Sequence, residues 1–177
     1  MSTPSARLLV FVSGQLACVK IVGRANFTSS VDFKTLLSEL IEKGYTCFVL
    51  DLAECILMDS TFLGVLAGFG LKLSGGANGN DSSKGIELLN PNPRISELLE
   101  NLGVLHLFKV VSGPASIPGE EQARPRDPGA APSHEEVTRT CLEAHRTLME
   151  ISPANVPKFK DVAQFLAEDL RKSKTGA

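Results

Sequence analysis

Three consecutive residues, Asp59-Ser60-Thr61, are the ones best placed to do chemistry. They sit between the apolar stretch Ile56-Leu57-Met58 and an apolar run opening at Phe62-Leu63. A hydroxyl beside a carboxylate at the start of a helix can cap that helix, and Asp and Ser before an apolar helical run commonly do so. It can also serve as a nucleophile, given a base. No Gly-x-Ser-x-Gly turn surrounds Ser60, however, and only three histidines could supply the base. On the residues alone, the cap is the better reading.

Other groupings carry less. Cys141 and His145 stand four apart on a helical pattern and share a face, but two ligands without a third make a poor metal site. A core Cys beside a surface His is the expected arrangement. His106 lies in an apolar strand region and is expected to be structural. Gly68-Phe69-Gly70 and Ser74-Gly75-Gly76-Ala77-Asn78-Gly79 lack both the Gly-Lys-Ser/Thr of a phosphate loop and the context of a dinucleotide fingerprint. No acid, base and nucleophile converge in the sequence, so no enzyme, cofactor or metal is expected.

The elements that must position Asp59 and Ser60 can be read from patterning. Leu8–Val12 and Leu16–Val22, split by Ser13-Gly14-Gln15, read as a β-hairpin. Phe33, Leu36, Leu37, Leu40 and Ile41 form one helical stripe, with Ser29 or Ser30 as cap and Gly44 as terminator. Thr46–Leu50 reads as a central strand covered on both faces, and the chain then turns into a helix over Ser60–Leu73. Phe62, Leu66, Phe69 and Leu73 line one side of that helix. Gly64, Gly68 and Gly70 each cost about 1 kcal/mol relative to Ala in a helix interior, which points to close packing there. A polar loop over Ser74–Gly85, a strand at Ile86–Leu89, a helix through Ile95, Leu98, Leu99 and Leu102, and a last strand at Leu105–Val111 complete the order β-β-α-β-α-β-α-β. That order implies a sheet with parallel neighbours and crossover helices.

The rest of the chain differs in character. Half of the ten prolines fall in Ser112–Ser133, which reads as an extended linker. Beyond it, Val137, Cys141, Ala144, Leu148 and Ile151 form one amphipathic stripe. Phe159, Val162, Leu166 and Leu170 form another, with Asn155 and Pro157 at its start as cap and first-turn proline. The expected divisions are 1–111, a linker at 112–133 and a helical hairpin at 134–177. The hairpin must fold back onto a sheet or helix face, or pair with a second copy as a homodimer.

Composition sets the class. With 177 residues, 43% of them hydrophobic and 21% charged, the chain has globular composition and room for one domain plus an appendage. A net charge of −2 gives no field for nucleic acid. No apolar run approaches the roughly 20 residues needed to cross a bilayer, and no secretory signal opens the sequence. No membrane contact and a cytoplasmic location are expected. Cys18, Cys47, Cys55 and Cys141 lack CxxC spacing and read as reduced thiols.

Element order and motif together resemble the STAS family, the domain of anti-sigma factor antagonists and of sulfate-transporter tails. The resemblance is carried by Leu50-Asp51-Leu52, Asp59-Ser60-Thr61 with Leu63-Gly64-Val65-Leu66, and Ile95-Ser96-Glu97-Leu98-Leu99 through Leu102-Gly103-Val104. It implies a STAS α/β fold with a mixed sheet, and a non-enzymatic module for protein binding. In bacterial members the Ser after the Asp is phosphorylated by a serine-protein kinase, often itself the anti-sigma factor. The phosphorylated form releases that partner until a phosphatase, expected to be of the PP2C type, resets it. The position here is Ser60, with Thr61 as the nearest alternative acceptor. A phosphoryl group there adds about −1.5 to −2 charge, which a helix N-terminus can accept. The implied partner surface comprises Asp59, Ser60, Thr61 and Phe62, with Arg24 and Asn26 from the loop after the second strand. Family members often have Gly where this chain has Phe62, and an acidic residue in the loop where it has Gly23-Arg24-Ala25-Asn26. The alternative is a STAS scaffold or ligand-binding module without phosphorylation, assembling through its C-terminal helices, in which Ser60 only caps a helix.

Overall fold

The computed structural model describes residues 6–74, 85–113, 122–127 and 130–174. Strands β1 (Arg7–Ser13) and β2 (Leu16–Ala25) form an antiparallel hairpin in continuous register from Arg7↔Val22 to Ser13↔Leu16. Gly14 turns it with φ of 61°, where a side chain would be strained. Three parallel pairings build outward from β2: β3 (Cys47–Asp51) on β2, β5 (Gly85–Leu89) on β3, and β6 (Lys109–Val111) on β5. Helices α1 (Phe27–Glu42), α2 (Ser60–Ser74) and α3 (Pro93–Asn101) supply the crossovers. The result is the expected mixed α/β sheet.

Two strands were not foreseen. The stretch read as a turn before Asp59 is β4 (Cys55–Met58), which pairs parallel with Gly23–Ala25 after a register shift at Gly23/Arg24. Four residues are too few for patterning to separate from a turn. In the Pro-rich segment, β7 (Arg124–Pro125) adds antiparallel to the outer edge of β1, and the Arg126 amide continues the pairing to the Leu8 carbonyl at 2.7 Å. The Arg126 side chain reaches α1, 2.7 Å from Asp32 and 3.1 Å from Glu39. This part of the linker is therefore held against the domain. The loop expected over Ser74–Gly85 lies almost wholly outside the described residues. The last expected strand begins late, because Leu105–Leu107 forms a 3-10 turn that leaves His106 exposed.

Strand alternation sorts side chains between two faces. Ala17, Val19, Ile21, Phe48, Leu50, Ile86 and Leu88 join the main core with the apolar stripes of the helices. The other face carries only a small cluster of Phe11, Cys18, Val49 and Leu89, with Leu16, Val111 and Ala123 against it. β3 is covered on both faces, as expected: Phe48 and Leu50 are buried in the main core and Val49 is buried in the small cluster opposite. The α1 stripe is as expected, with Phe33, Leu36, Leu37 and Leu40 buried, but its cap is Asn26 rather than Ser29 or Ser30. Asn26 Oδ1 accepts from the Ser29 amide while Ser29 Oγ accepts from the Asn26 amide, a reciprocal box.

Helix α2 is buried nearly all round from Thr61 to Ala67, not on one side alone. The sheet and α1 cover one side, where Phe62 stacks on Phe33 with centroids 4.5 Å apart. The other side is covered by α4 (His134–Ile151), which with α5 (Val156–Lys174) forms the C-terminal hairpin. Ala144 and Leu148 enter the main core, so the hairpin folds back onto a helix face of its own chain. On α5 the buried position is Ala163, and Val162 is exposed, which corrects the expected stripe by one residue. Asn155 does not cap α5. It is fully buried in the 3-10 turn Pro153–Asn155 and donates both amide hydrogens, to the carbonyls of Leu102 at 2.9 Å and Leu148 at 2.8 Å.

Candidate functional site

The site is built where β2 and β4 end side by side. The Asp59 amide donates to the Ala25 carbonyl at 2.9 Å, extending the pairing one residue past β4, and both chains then enter helices. The Asp59 carboxylate serves both helices. Oδ1 accepts from the Phe62 amide of α2 at 2.8 Å, and Oδ2 accepts from the Phe27 amide that opens α1 at 2.7 Å. The cap expected of Ser60 is therefore Asp59, which places one negative charge against two helix N-termini. Burial still pushes the Asp59 carboxyl above the usual carboxylate range. The Phe62 and Phe27 amides, the charge of His145 and the Thr61 amide pull the other way without cancelling it.

Relieved of capping, Ser60 turns its hydroxyl toward α4. Its Oγ lies 3.0 Å from His145 Nε2, and His145 Nδ1 lies 2.7 Å from the Cys141 carbonyl. A carbonyl only accepts, so Nδ1 carries the proton. In the neutral ring Nε2 then accepts from the Ser60 hydroxyl, and in the charged ring Nε2–H donates to Ser60 Oγ. Ser60 itself is half-buried, while His145 is 6% exposed, with its ring 4.9 Å from that of Phe159 of α5. The expectation of a core Cys beside a surface His is reversed: His145 is buried and Cys141 only half-buried. The pair meets no third ligand, since no group of three metal-ligating side chains gathers among the described residues.

The remaining sequence-derived residues divide by side. Thr61 is buried, with its Oγ1 3.6 Å from Cys141 Sγ. Burial pushes the Cys141 thiol up, the Thr61 hydroxyl lowers it, and the Asp59 charge raises it further. Phe62 is fully buried on Phe33, so its side chain presents nothing to a partner, and the expectation of a bulky group at the partner-facing turn is corrected. Arg24 is exposed, but as a residue of β2 opposite Leu57 rather than of a loop. Asn26 is half-buried and committed to capping α1. At the surface the structure thus gathers Asp59, Ser60, Asn26 and Arg24 around the C-terminal ends of β2 and β4, and it turns Thr61 and Phe62 inward. His145 was missed as a member of the site. Its signal was present in the sequence, four residues after Cys141 and three before Leu148 on the stripe that docks.

Comparison with known proteins bears on the fold and the family. No curated protein matches the sequence. A putative anti-sigma factor antagonist of Thermotoga maritima is similar in structure, at 20% identity and a TM-score of 0.52, over 63% of this chain and 91% of that one. An anti-sigma factor antagonist from Mycobacterium paratuberculosis matches at 18% identity and 0.52, over 62% and 89% of the two chains. The unphosphorylated form of the anti-sigma factor antagonist SpoIIAA matches at 19% identity and 0.50, over 60% and 88%. These likenesses establish the fold. The sequence model of the STAS domain matches residues 9–116, from within β1 past β6, and leaves α4 and α5 outside. The chain accordingly belongs to the STAS domain family, with a C-terminal helical hairpin added to the matched region.

Proposed function

We propose that this protein is a non-enzymatic regulatory STAS module, in which phosphorylation of Ser60 by a serine-protein kinase or anti-sigma factor switches partner binding and a PP2C-type phosphatase reverses it. One observation carries the reading: Ser60 is the first residue of α2, directly after a carboxylate that already does the capping. Its hydroxyl is thereby not needed as the cap and turns to His145 instead, at a helix end suited to an added anion. The partner surface on this reading is Asp59 and Ser60, flanked by Asn26 and exposed Arg24. Thr61 is the weaker acceptor, because it is buried. No described helix is long and apolar enough to cross a membrane, and a cytoplasmic setting is part of the proposal.

The test is intact mass and peptide mapping after incubation with a candidate serine-protein kinase of the anti-sigma type. One phosphoryl group on the peptide holding Ser60, lost in Ser60→Ala, is expected. Modification persisting in Ser60→Ala overturns the assignment. The bond from Ser60 to His145 favours a second reading, a scaffold in which the hydroxyl only ties α2 to α4. On that reading Ser60→Asp binds a kinase-like partner as tightly as the wild type, whereas the switching reading expects weaker binding.

A further inference from the structure

The α2 surface that begins at Ser60 is covered by the chain's own α4, and the cover is closely fitted. A Cβ on Gly64 would fall 2.5 Å from the Ala144 carbonyl oxygen and 2.6 Å from Ala144 Cβ, so only glycine admits this crossing. One turn toward the N-terminus of α2, the imidazole of His145 is wedged between Ser60 Oγ at 3.0 Å and the ring of Phe159. At the far end of α4, buried Asn155 ties the hairpin turn to the end of α3 through the Leu102 carbonyl. Along the seam between Gly64 and Thr147 a groove of about 180 Å³ remains, also lined by Lys34, Gly68 and Lys72, so the docked helix leaves part of this surface unfilled.

The imidazole stands on the side toward which the Ser60 hydroxyl is turned. Phosphorus and three oxygens bonded to Oγ in that direction need the space of the ring now in hydrogen-bond contact with it, a ring that also packs against Phe159.

We propose that the α4–α5 hairpin is an intramolecular gate on the Ser60 face, docked when Ser60 is unmodified and released when Ser60 carries phosphate. This rests on Ser60 being the acceptor, as proposed above. Because phosphate and the docked hairpin compete for one volume, the coupling is reciprocal: whatever lifts α4 favours phosphorylation, and phosphorylation favours the lifted state. The surface exposed on release is a helix-binding face already shaped around Gly64.

The experiment needs no kinase. Phosphoserine is incorporated at position 60 of the full chain during translation, and amide hydrogen exchange is compared with the unmodified protein. Exchange at least tenfold faster across α4 and α5, with β1, β2 and β3 as protected as before, is expected. Gly64→Ala, which crowds Ala144 without touching Ser60, should give the same pattern. If that variant loses sheet protection as well, His145→Ala, which removes the wedge without adding bulk, takes its place. Unchanged α4 exchange in the phosphoserine protein overturns the gate, and so does loss of protection spread evenly over the sheet. Since the phosphate is installed directly, this outcome is independent of whether any kinase modifies Ser60.

Discussion

Asp59 shows how one side chain can hold a site together. Its two carboxylate oxygens receive first-turn amides of two helices whose N-termini meet at the ends of β2 and β4. Asn offers only one acceptor oxygen and sets an NH2 group against the other amide. Asp59→Asn should therefore lose about 1–2 kcal/mol of stability by chemical denaturation, the usual cost of a lost cap. The pH dependence has a definite sign. The folded Asp59 carboxyl lies above its ordinary value, so the folded state holds its proton more tightly than the unfolded chain. Its contribution to stability is complete below the ordinary carboxylate value and is lost as pH rises through the raised one. A denaturation series from acid to neutral pH should show that decline in the wild type and lack this component in Asp59→Asn. The sequence made Asp59 and Ser60 conspicuous but exchanged their duties, because the second amide on Asp59, that of Phe27, lies 32 residues away.

Among elements, α2 was the most informative and the least completely read. Its glycines pointed to close packing, and two of them have it. Gly64 meets Ala144, and a Cβ on Gly70 would lie 3.0 Å from the Phe108 ring. Gly68 differs, since a Cβ there would find only the Thr147 methyl at 3.9 Å. The two α2 positions facing α4 should respond in opposite directions. Gly64→Ala should destabilise by about 1–3 kcal/mol through overpacking against the α4 backbone. Gly68→Ala should stabilise by up to about 1 kcal/mol, the gain in helix propensity where space allows it. Equal losses at both, measured by thermal unfolding, would mean that propensity and not the crossing decides. The stripe of α1, the β1–β2 hairpin and the order of the crossovers were legible because each is a local period of two or of 3.6. The four residues of β4 and the two of β7 were not, because they are fixed by partners distant in the chain. The contact of His145 with Ser60 was hidden for the same reason: 85 residues separate them, and a sequence period gives a helix face but not what that face meets.

For the whole molecule, the question is whether the hairpin is ornament or part of the core. The match to the STAS domain ends at residue 116, yet Leu148 is fully buried in the same cluster as Leu99, Leu102 and the sheet residues. An element that only leaned on the domain would lose little by truncation there. Sharing the core, Leu148→Ala should cost about 2–5 kcal/mol, the range for a buried Leu that leaves a cavity. Phe165 gives the internal control. On the outer face of α5 it is 68% exposed, and Phe165→Ala should stay within about 0.5 kcal/mol of the wild type. The same packing bears on any release of α4. Lifting it would uncover Gly64, Ala144 and Leu148 together, while the sheet, α1 and α3 keep their own contacts, so opening should cost less than unfolding the whole chain. Native-state hydrogen exchange at low denaturant should then resolve two tiers, with α4 and α5 opening first and β1, β2 and β3 last. Leu148→Ala should lower the hairpin tier by the larger amount, because the contacts it deletes are broken in the first opening. One tier for all elements would mean that the hairpin cannot leave without the sheet.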